Sequence, residues 1–495
     1  MKRAIGILGI VTIGLGAGAV EAQTVLPDPL RYSVSTPRPI NPAEGTTNPS
    51  ARTTQSQNPY LGSVPAEPTG ATIQLSLQAA IQRGLQYNLG LIETDHAATD
   101  VRTERLRALS SLLPQIEARA RQGFEILSFK EIGLKLPPIP GVGALPPTTG
   151  GFGYQDTRVA LNQNLFNANL RSQYQASKAA EQASILNTKD SRDVVVLAVG
   201  TAYLQVLASA AKLETAKAQL TSAQSLDQQT ASRVKSEVSP EIDSLRSQVE
   251  RQSAQQRLTN ATNQLEKDKL TLGRITGLPV GQSFVLTDSL AYHQPTAIDS
   301  DAATEDAIRS RSDLASAQAA VKAAELTLRA QKAQRLPVIS VNADYGGGGS
   351  NFGNYNQLYS IHGDVTLPIY TGGRIRADIE QASADLERKR AEYADLKGRI
   401  AYDVRLAWLD LTASDSSVKV AERNRQLAER ALAQSQDRYA NGVANYLEVV
   451  TAQETLALAG DNYVDSLYSL NTAMVYLARA MGGADTRIQQ FLEGK

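Results

Sequence analysis

No cysteine occurs among the 495 residues, which excludes disulfides, thiolate metal sites and a lipidated cysteine behind a signal peptide. Histidine is scarce as well. His96, His293 and His362 fall in separate segments with no paired spacing, which argues against a metal site. Neither sign of charge is in excess: 50 Lys and Arg balance 50 Asp and Glu, so there is no net field to draw nucleic acid. Beyond residues 4–20, no apolar run approaches the length of a membrane helix. A chain without such helices can still cross a membrane as a closed barrel. Catalytic signatures are missing too, since no Ser, His and Asp set stands in a recognisable context. "GGGGS" lacks the Lys-Ser/Thr of a phosphate loop and reads as a flexible loop tip. No reaction, metal or cofactor is assigned.

What is present begins with an export signal. Lys2 and Arg3 precede a small-residue apolar stretch, and "VEA" ends it with small side chains at the −3 and −1 positions of a cleavage site. Residues 1–22 therefore read as a secretory signal peptide, the alternative being a Gly-rich membrane anchor. Residues 23–70 are rich in Pro, Ser, Thr, Asn and Gln, too polar to offset chain entropy by burial, and read as an extended or disordered leader.

The rest of the chain is one unit written twice. "SRVKSEVSPEIDSL" (232–245) sets beneath "DRYANGVANYLEVV" (437–450) at an offset of 205, with Arg233 under Arg438, Val238 under Val443 and Asp243 under Glu448. The same offset places "AYLQVLAS" (202–209) on "AWLDLTAS" (407–414) and "LTLGRITG" (270–277) on "VYLARAMG" (475–482). Upstream, "LPQIEARA" at 113 matches "LPVISVNA" at 336 with an offset of 223, so the first copy carries a longer insertion, expected in a loop. The boundaries are 71–280 for the first repeat, 281–301 for a connector, 302–483 for the second repeat and 484–495 for a tail.

Each copy opens with a helix-like segment, 75–112 and 302–335, ended by Pro114 or Pro337. Strands follow. Ile116, Ala118, Ala120, Phe124 and Ile126 alternate with Glu117, Arg119, Arg121 and Glu125; Val159, Leu161 and Leu165 alternate with Arg158, Asn162 and Asn164. In the second copy Ile339, Val341, Ala343 and Tyr345 alternate with Ser340, Asn342 and Asp344, and Ile361, Val365 and Leu367 with His362, Asp364 and Thr366. The joining loops are "GLKLPPIPGVGALPPTTGGFG" and "GGGGSNFGNYNQ". Two hairpins of this strand length can cross a tilted bilayer, or form an ordinary sheet with one wet face. In the membrane reading Glu117, Arg119, Arg121, Glu125, Asp156, Arg158, Asp344 and Asp364 line a wet lumen.

Long helices come next, 169–236 and 374–440, each on the order of 100 Å at 1.5 Å per residue. Shorter returning helices follow at 241–276 and 446–482. Leu456, Tyr463, Leu467, Leu470, Met474, Leu477 and Met481 step by three and four, as do Leu213, Ala216, Leu220 and Ala223. These spacings fit packing in a thin-walled cylinder, or a plain antiparallel coiled coil. Four strands cannot close a membrane barrel, for which eight is the usual minimum, so several chains must share one.

With the duplicated order of elements, "LPIYTGGRIRADIEQA" after the fourth strand and "RYANGVANYLEVVTAQE" at the second turn, residues 70–483 resemble the TolC family of outer-membrane efflux proteins. The resemblance implies a mixed α and β homotrimer: a twelve-stranded outer-membrane β-barrel continued by a twelve-helix periplasmic α-barrel, with an equatorial belt of short elements. It implies a periplasmic adaptor (membrane fusion) protein and an inner-membrane pump as partners, outer-membrane lipid around the barrel, and passive passage of substrates in tripartite efflux or type I secretion. It further implies that the turns are tunnel tips that dock the adaptor, here Glu237, Val238 and Ser239 in the first copy and Asn441, Gly442, Val443 and Ala444 in the second. Tyr439, Glu448 and Asp243 match a periplasmic gate, with the Tyr439 hydroxyl expected on Asp243. Two positions depart from the family: Ala444 replaces an arginine that can lock the gate, and Thr451 a second acid. The competing reading is a structural protein, a periplasmic coiled-coil adaptor or spacer, although adaptors normally carry one hairpin between lipoyl-like and barrel segments.

Overall fold

The computed structural model describes residues 58–68, 70–128, 147–295, 298–350 and 355–493. The expected signal peptide and most of the leader lie outside these residues. So does most of the loop between the first pair of strands.

The long helices arise where residues 168–235 and 374–440 run without proline or a local stop signal. α3 spans Ala168–Lys235 and α7 spans Arg374–Ala440. Asn167 caps α3 by accepting from the amide of Leu170 at 3.1 Å. The returning helices are α4, Glu241–Thr276, and α8, Tyr446–Met481. All four agree with the sequence boundaries to within a residue or so.

The helices that open each copy are broken, a correction to the continuous segments expected. In the first copy α1 (Leu77–Tyr87) and α2 (Leu89–Ser110) meet at Asn88; in the second, α5 (Ser300–Ser310) and α6 (Ser312–Ala333) meet at Arg311. Asn88 and Arg311 are 223 residues apart and share one extended conformation, φ −66° and ψ 128° against φ −67° and ψ 125°. The Asn88 side chain accepts from the amides of Gly90 and Leu91, restarting the helix in a new direction. A second pair of tethers obeys the same symmetry. The Tyr203 hydroxyl lies 3.0 Å from the Leu75 carbonyl, and Trp408 Nε1 donates to the Ile298 carbonyl at 2.9 Å. The first ties α3 to the start of its own repeat, and the second ties α7 to the expected connector just ahead of the second repeat.

Two short strands, β1 (Ile73–Leu75) and β4 (Phe284–Leu286), pair in parallel and join the start of the first repeat to the expected connector. The last part of the expected leader is held in place: Val64 N donates to the Tyr87 carbonyl at 2.9 Å, Ala66 N to the Gly277 carbonyl at 2.9 Å, and the Tyr60 and Ser191 hydroxyls lie 3.0 Å apart. The expected tail forms α9, Ala484–Glu493, with Ile488 fully buried. A further correction concerns α3. Part of it is apolar enough to cross a membrane by length and composition, but most of that stretch is buried inside the protein. Its valines and leucines, Val195, Val199 and Leu204 among them, join Leu470, Met474 and Leu477 of α8 in the main core.

The second sheet is a single layer of β2 (Gln115–Glu125), β3 (Phe152–Phe166), β5 (Val338–Gly349) and β6 (Tyr355–Thr366), antiparallel in that order. Here the glycines of "GGGGS" are strand, not loop tip. Gly346 to Gly349 pair with both β3 and β6. A Cβ on Gly346 would meet the Thr157 carbonyl at 2.1 Å, and one on Gly347 the Tyr355 ring at 2.2 Å, so only glycine lets these neighbours approach. A bulge between Asn164 and Phe166 sets Phe166 opposite Ile339, so Phe166 takes the apolar register that alternation assigned to Leu165.

Candidate functional site: the open sheet and the helical tips

Direct cross-strand partners share a face, so the register tests the alternation residue by residue. Glu117 stands opposite Ala160, which stands opposite Asp344; Arg119 faces Arg158, and Arg121 faces Asp156. Asn342 faces His362, and Asp364 faces Ser340. Glu117, Arg119, Arg121, Glu125, Asp156, Arg158, Asp344 and Asp364 thus occupy one face. Several of them pair along it: Arg158 holds Asp156 at 2.6 Å and Asp344 at 3.4 Å, Glu117 holds Arg119, and Asp364 accepts from Asn342 at 2.6 Å.

The opposite face carries Ile116, Phe124, Val159, Tyr345, Tyr359, Ile361 and Val365, all exposed to solvent. Among the described residues no strand pairs with the outer edges of β2 and β6. A long open edge and a bare apolar face are both unstable in water.

At the other end of the long helices lie two turns that share the same pair of closing hydrogen bonds. In the first, Glu237 N donates to the Val234 carbonyl at 3.0 Å and Val238 N to the Arg233 carbonyl at 2.9 Å. In the second, Gly442 N donates to the Tyr439 carbonyl at 3.1 Å and Val443 N to the Arg438 carbonyl at 2.9 Å. Both are Schellman endings, which need a left-handed residue at the pivot. Gly442 supplies it with φ 74°; in the first copy Glu237 adopts it with φ 58°, without a glycine's freedom. The first turn contains no glycine, yet its backbone repeats the second. Val238 and Val443, at 64% and 68% exposure, project from the two turns beside exposed Glu237, Asn441 and Gly442; Ser239 and Ala444 are half-buried.

Tyr439 is only 4% exposed. It sits in a small cluster with Tyr446, Val449, Leu226 and Leu432, its ring edge-on to Tyr446 at 6.5 Å. The Arg233 guanidinium lies 4.6 Å over the Tyr439 ring, and its Nη1 donates to the Tyr439 carbonyl at 2.7 Å. The first tip therefore grips the second. The expected bond to Asp243 is not made: the Tyr439 hydroxyl has no hydrogen-bond partner among the described residues, and the Asp243 carboxylate lies 3.9 Å from Arg246. The Tyr439 ring packs instead against Arg233 and Tyr446. Glu448 is 3.1 Å from Arg438, and its amide donates to the capping Asn445 at 3.0 Å.

Sequence reasoning missed Arg233, Arg438 and Tyr446 as tip residues. The repeat alignment already put the two arginines in register, and the Asn-x-x-Glu cap marked the turn of helix that carries Tyr446. Tyr446 is 3% exposed and its phenol is pushed up by burial, then by Glu250, Tyr439, Asp227 and Asp243.

A second polar cluster joins the repeats away from the tips. Arg479 of α8 pairs with Asp190 of α3 at 2.7 Å, with their side chains 12% and 8% exposed. Arg311 pairs with Asp313 at 2.6 Å and lies 3.7 Å from Asp403. Asp193 accepts from the amides of Gly483 at 3.1 Å and Ala484 at 2.9 Å, capping α9. Burial raises Asp190 and Asp193 above the usual carboxylate range, against the pull of Arg479. Burial also opposes ionisation of Asp313, but hydrogen bonding and charge from Arg311 outweigh it and hold that carboxyl below the usual range.

A two-faced sheet with free edges, carried on helices far longer than a globular core requires, defines a membrane channel subunit extended by a helical conduit. Comparison with known proteins gives the same class. The model of the family described as outer membrane efflux protein matches residues 81–278 and 303–483, and the chain belongs to that family. It is 27% identical over 324 residues to the pyoverdine export outer membrane protein OpmQ of Pseudomonas putida, covering 63% of this chain and 67% of that one. To the toluene efflux pump outer membrane protein TtgF of Pseudomonas putida it is 27% identical over 349 residues, 68% and 71% of the two chains. Among solved structures, the Campylobacter jejuni CmeC outer membrane channel superposes with a TM-score of 0.71 at 17% identity, covering 82% of this chain and 86% of that one. The open state of the Neisseria gonorrhoeae MtrE outer membrane channel gives 0.70 at 19%, covering 82% and 89%. The protein is an outer-membrane efflux component reaching into the periplasm, in a family of channels and not of enzymes.

Proposed function

We propose that three copies close their four-stranded sheets into one twelve-stranded barrel and set their long helices into a twelve-helix tunnel, making a passive exit duct for an inner-membrane pump. One observation carries this: the sheet has alternating apolar and charged faces, two open edges and too few strands to close alone. Glu117, Arg119, Arg121, Arg158, Asp344 and Asp364 then line the lumen, with signs mixed so that they keep it wet and do not select cargo. The exposed tips, Glu237, Val238 and Ser239 with Asn441, Gly442, Val443 and Ala444, dock the hairpin of a periplasmic adaptor. Tyr439, Glu448 and Asp243 stand at the constriction. Threefold symmetry brings Glu448 round one axis and concentrates negative potential in a low-dielectric bore.

Relatives named for pyoverdine export and for toluene efflux carry chemically unlike cargo. That supports a duct whose pump chooses the substrate. The test is fractionation with an unheated gel and conductance in planar bilayers. The expected result is a heat-sensitive oligomer in outer membranes that conducts. A soluble monomer without conductance would instead match the spacer reading.

A further inference from the structure

The internal repeat converts contacts within one chain into contacts between chains. Within the chain, α4 packs along α3, whereas α8 packs along both α7 and α3. The helices therefore run α4, α3, α8, α7 in space, and the step from α8 to α3 crosses from the second repeat to the first. Moved by 205 residues, that step becomes α4 of one copy against α7 of another. The shift is rigid over the helices concerned, since α4 and α8 begin and end 205 residues apart and α3 and α7 end 205 apart.

Three α8–α3 contacts fix the mapping. Arg479 pairs with Asp190 at 2.7 Å, Asp465 with Lys212 at 2.6 Å, and Gln453 donates to Ser222 at 2.8 Å. Their counterparts are Arg274 with Asp395, Asn260 with Ser417, and Gln248 with Leu427. All six counterparts are exposed in the single chain. Of the charged pairs only the first keeps both signs, and it is the pair that is buried where both partners are present. Among the described residues of the lone chain, Asp395 is held only by Arg399 one turn along, at 2.8 Å on the surface. Further up, Ser316 of α6 donates to the Ala183 carbonyl of α3 at 2.7 Å. Its counterparts, by offsets of 223 and 205, are Glu93 and Arg388, again exposed and opposite in charge.

We infer that Arg274 on α4 pairs with Asp395 on α7 of a second copy, and that this α4–α7 seam joins neighbouring protomers. The contact is head-to-tail, so it is satisfied throughout only if the copies close into a ring. It rests on the trimeric duct reading and adds to it the face and the ion pair that close the tunnel wall. The pair is desolvated as Asp190 and Arg479 are. Each partner also leaves an uncompensated charge in the seam if the other is removed.

The chain has no cysteine of its own, so paired thiols report without background. Full-length protein with Arg274→Cys and Asp395→Cys is treated in outer membranes with a short bifunctional maleimide. A ladder of covalent dimer and trimer is expected. Asp190→Cys with Arg479→Cys is the in-chain control and should consume its thiols without changing monomer mobility. Arg274→Asp alone should lower the yield of heat-sensitive oligomer several-fold, and adding Asp395→Arg should restore it. An oligomer that forms normally but gives no 274–395 ladder, with the in-chain control reacting, overturns the seam and leaves the duct standing. A wild-type chain that is monomeric in the membrane overturns both.

Discussion

Replacing Arg479 by methionine keeps an unbranched, flexible side chain but removes the cation that Asp190 faces at 2.7 Å. Both side chains are almost wholly buried, so solvent cannot take over the role of the guanidinium. Breaking a buried pair from one side costs about 3–5 kcal/mol, because the remaining charge is left uncompensated. The cost should depend on pH with a definite sign. Asp190 is raised above the usual carboxylate range by burial, with Arg479 the first influence opposing that rise. A carboxylate whose folded value lies above its unfolded value contributes stability that is full below the unfolded value, about 3.9, and lost as pH rises through the folded one. Arg479→Met lifts the folded value further, so the penalty should be small in acid and grow toward neutrality as Asp190 is forced to ionise or the fold to open. The assay is loss of helical circular dichroism with temperature, on detergent-solubilised protein at about pH 5 and about pH 8. Adding Asp190→Asn should recover much of the loss at the higher pH, incompletely because Asp193 also feels Arg479. Equal destabilisation at both pH values, or no recovery with Asp190→Asn, would refute the reasoning and reduce Arg479 to a packing residue.

Glu237→Gly should stabilise the first tip by about 1–2 kcal/mol through relief of the left-handed strain, while Gly442→Ala should destabilise the second by a similar amount; hydrogen exchange of the tip amides reads both. Val159→Arg or Val341→Arg places a cation on the apolar face of the sheet at a cost of about 2–4 kcal/mol near the bilayer midplane, so oligomer yield should fall. Asn342→Arg, on the charged face, should assemble normally, and equal yields of all three would remove the case for a membrane barrel. Tyr439→Phe should leave thermal stability nearly unchanged because its hydroxyl bonds to nothing among the described residues, whereas Arg233→Ala should cost about 1–2 kcal/mol and raise single-channel conductance by freeing the second tip. Glu448→Gln should lower cation preference in planar bilayers with little effect on assembly.

How much of this was legible in the sequence depends on the range of the interaction concerned. The long helices and their returns follow from runs without proline, from caps and from one 205-residue offset, all properties of the chain near each residue, and their ends agree with the structure closely. Strand faces were legible for the same reason, since alternation and pairing both have a period of two; only the bulge beside Leu165 moved a side chain. The breaks at Asn88 and Arg311 were hidden because both segments carry good helix formers, and the extended conformation there serves tethers to distant elements. "GGGGS" looked like a loop until Arg158 and Tyr355, from neighbouring strands, supplied the reason for glycine at 346 and 347. Glu237 was not read as left-handed because its own side chain does not favour that region; the 205-residue offset, which sets it under Gly442, was the one signal for it. Tyr439 was recognised as a tip residue, but its partner was not. Which face of a phenol meets an arginine, an acid or another ring is decided by how two repeats pack side by side, and local sequence carries no record of that distance.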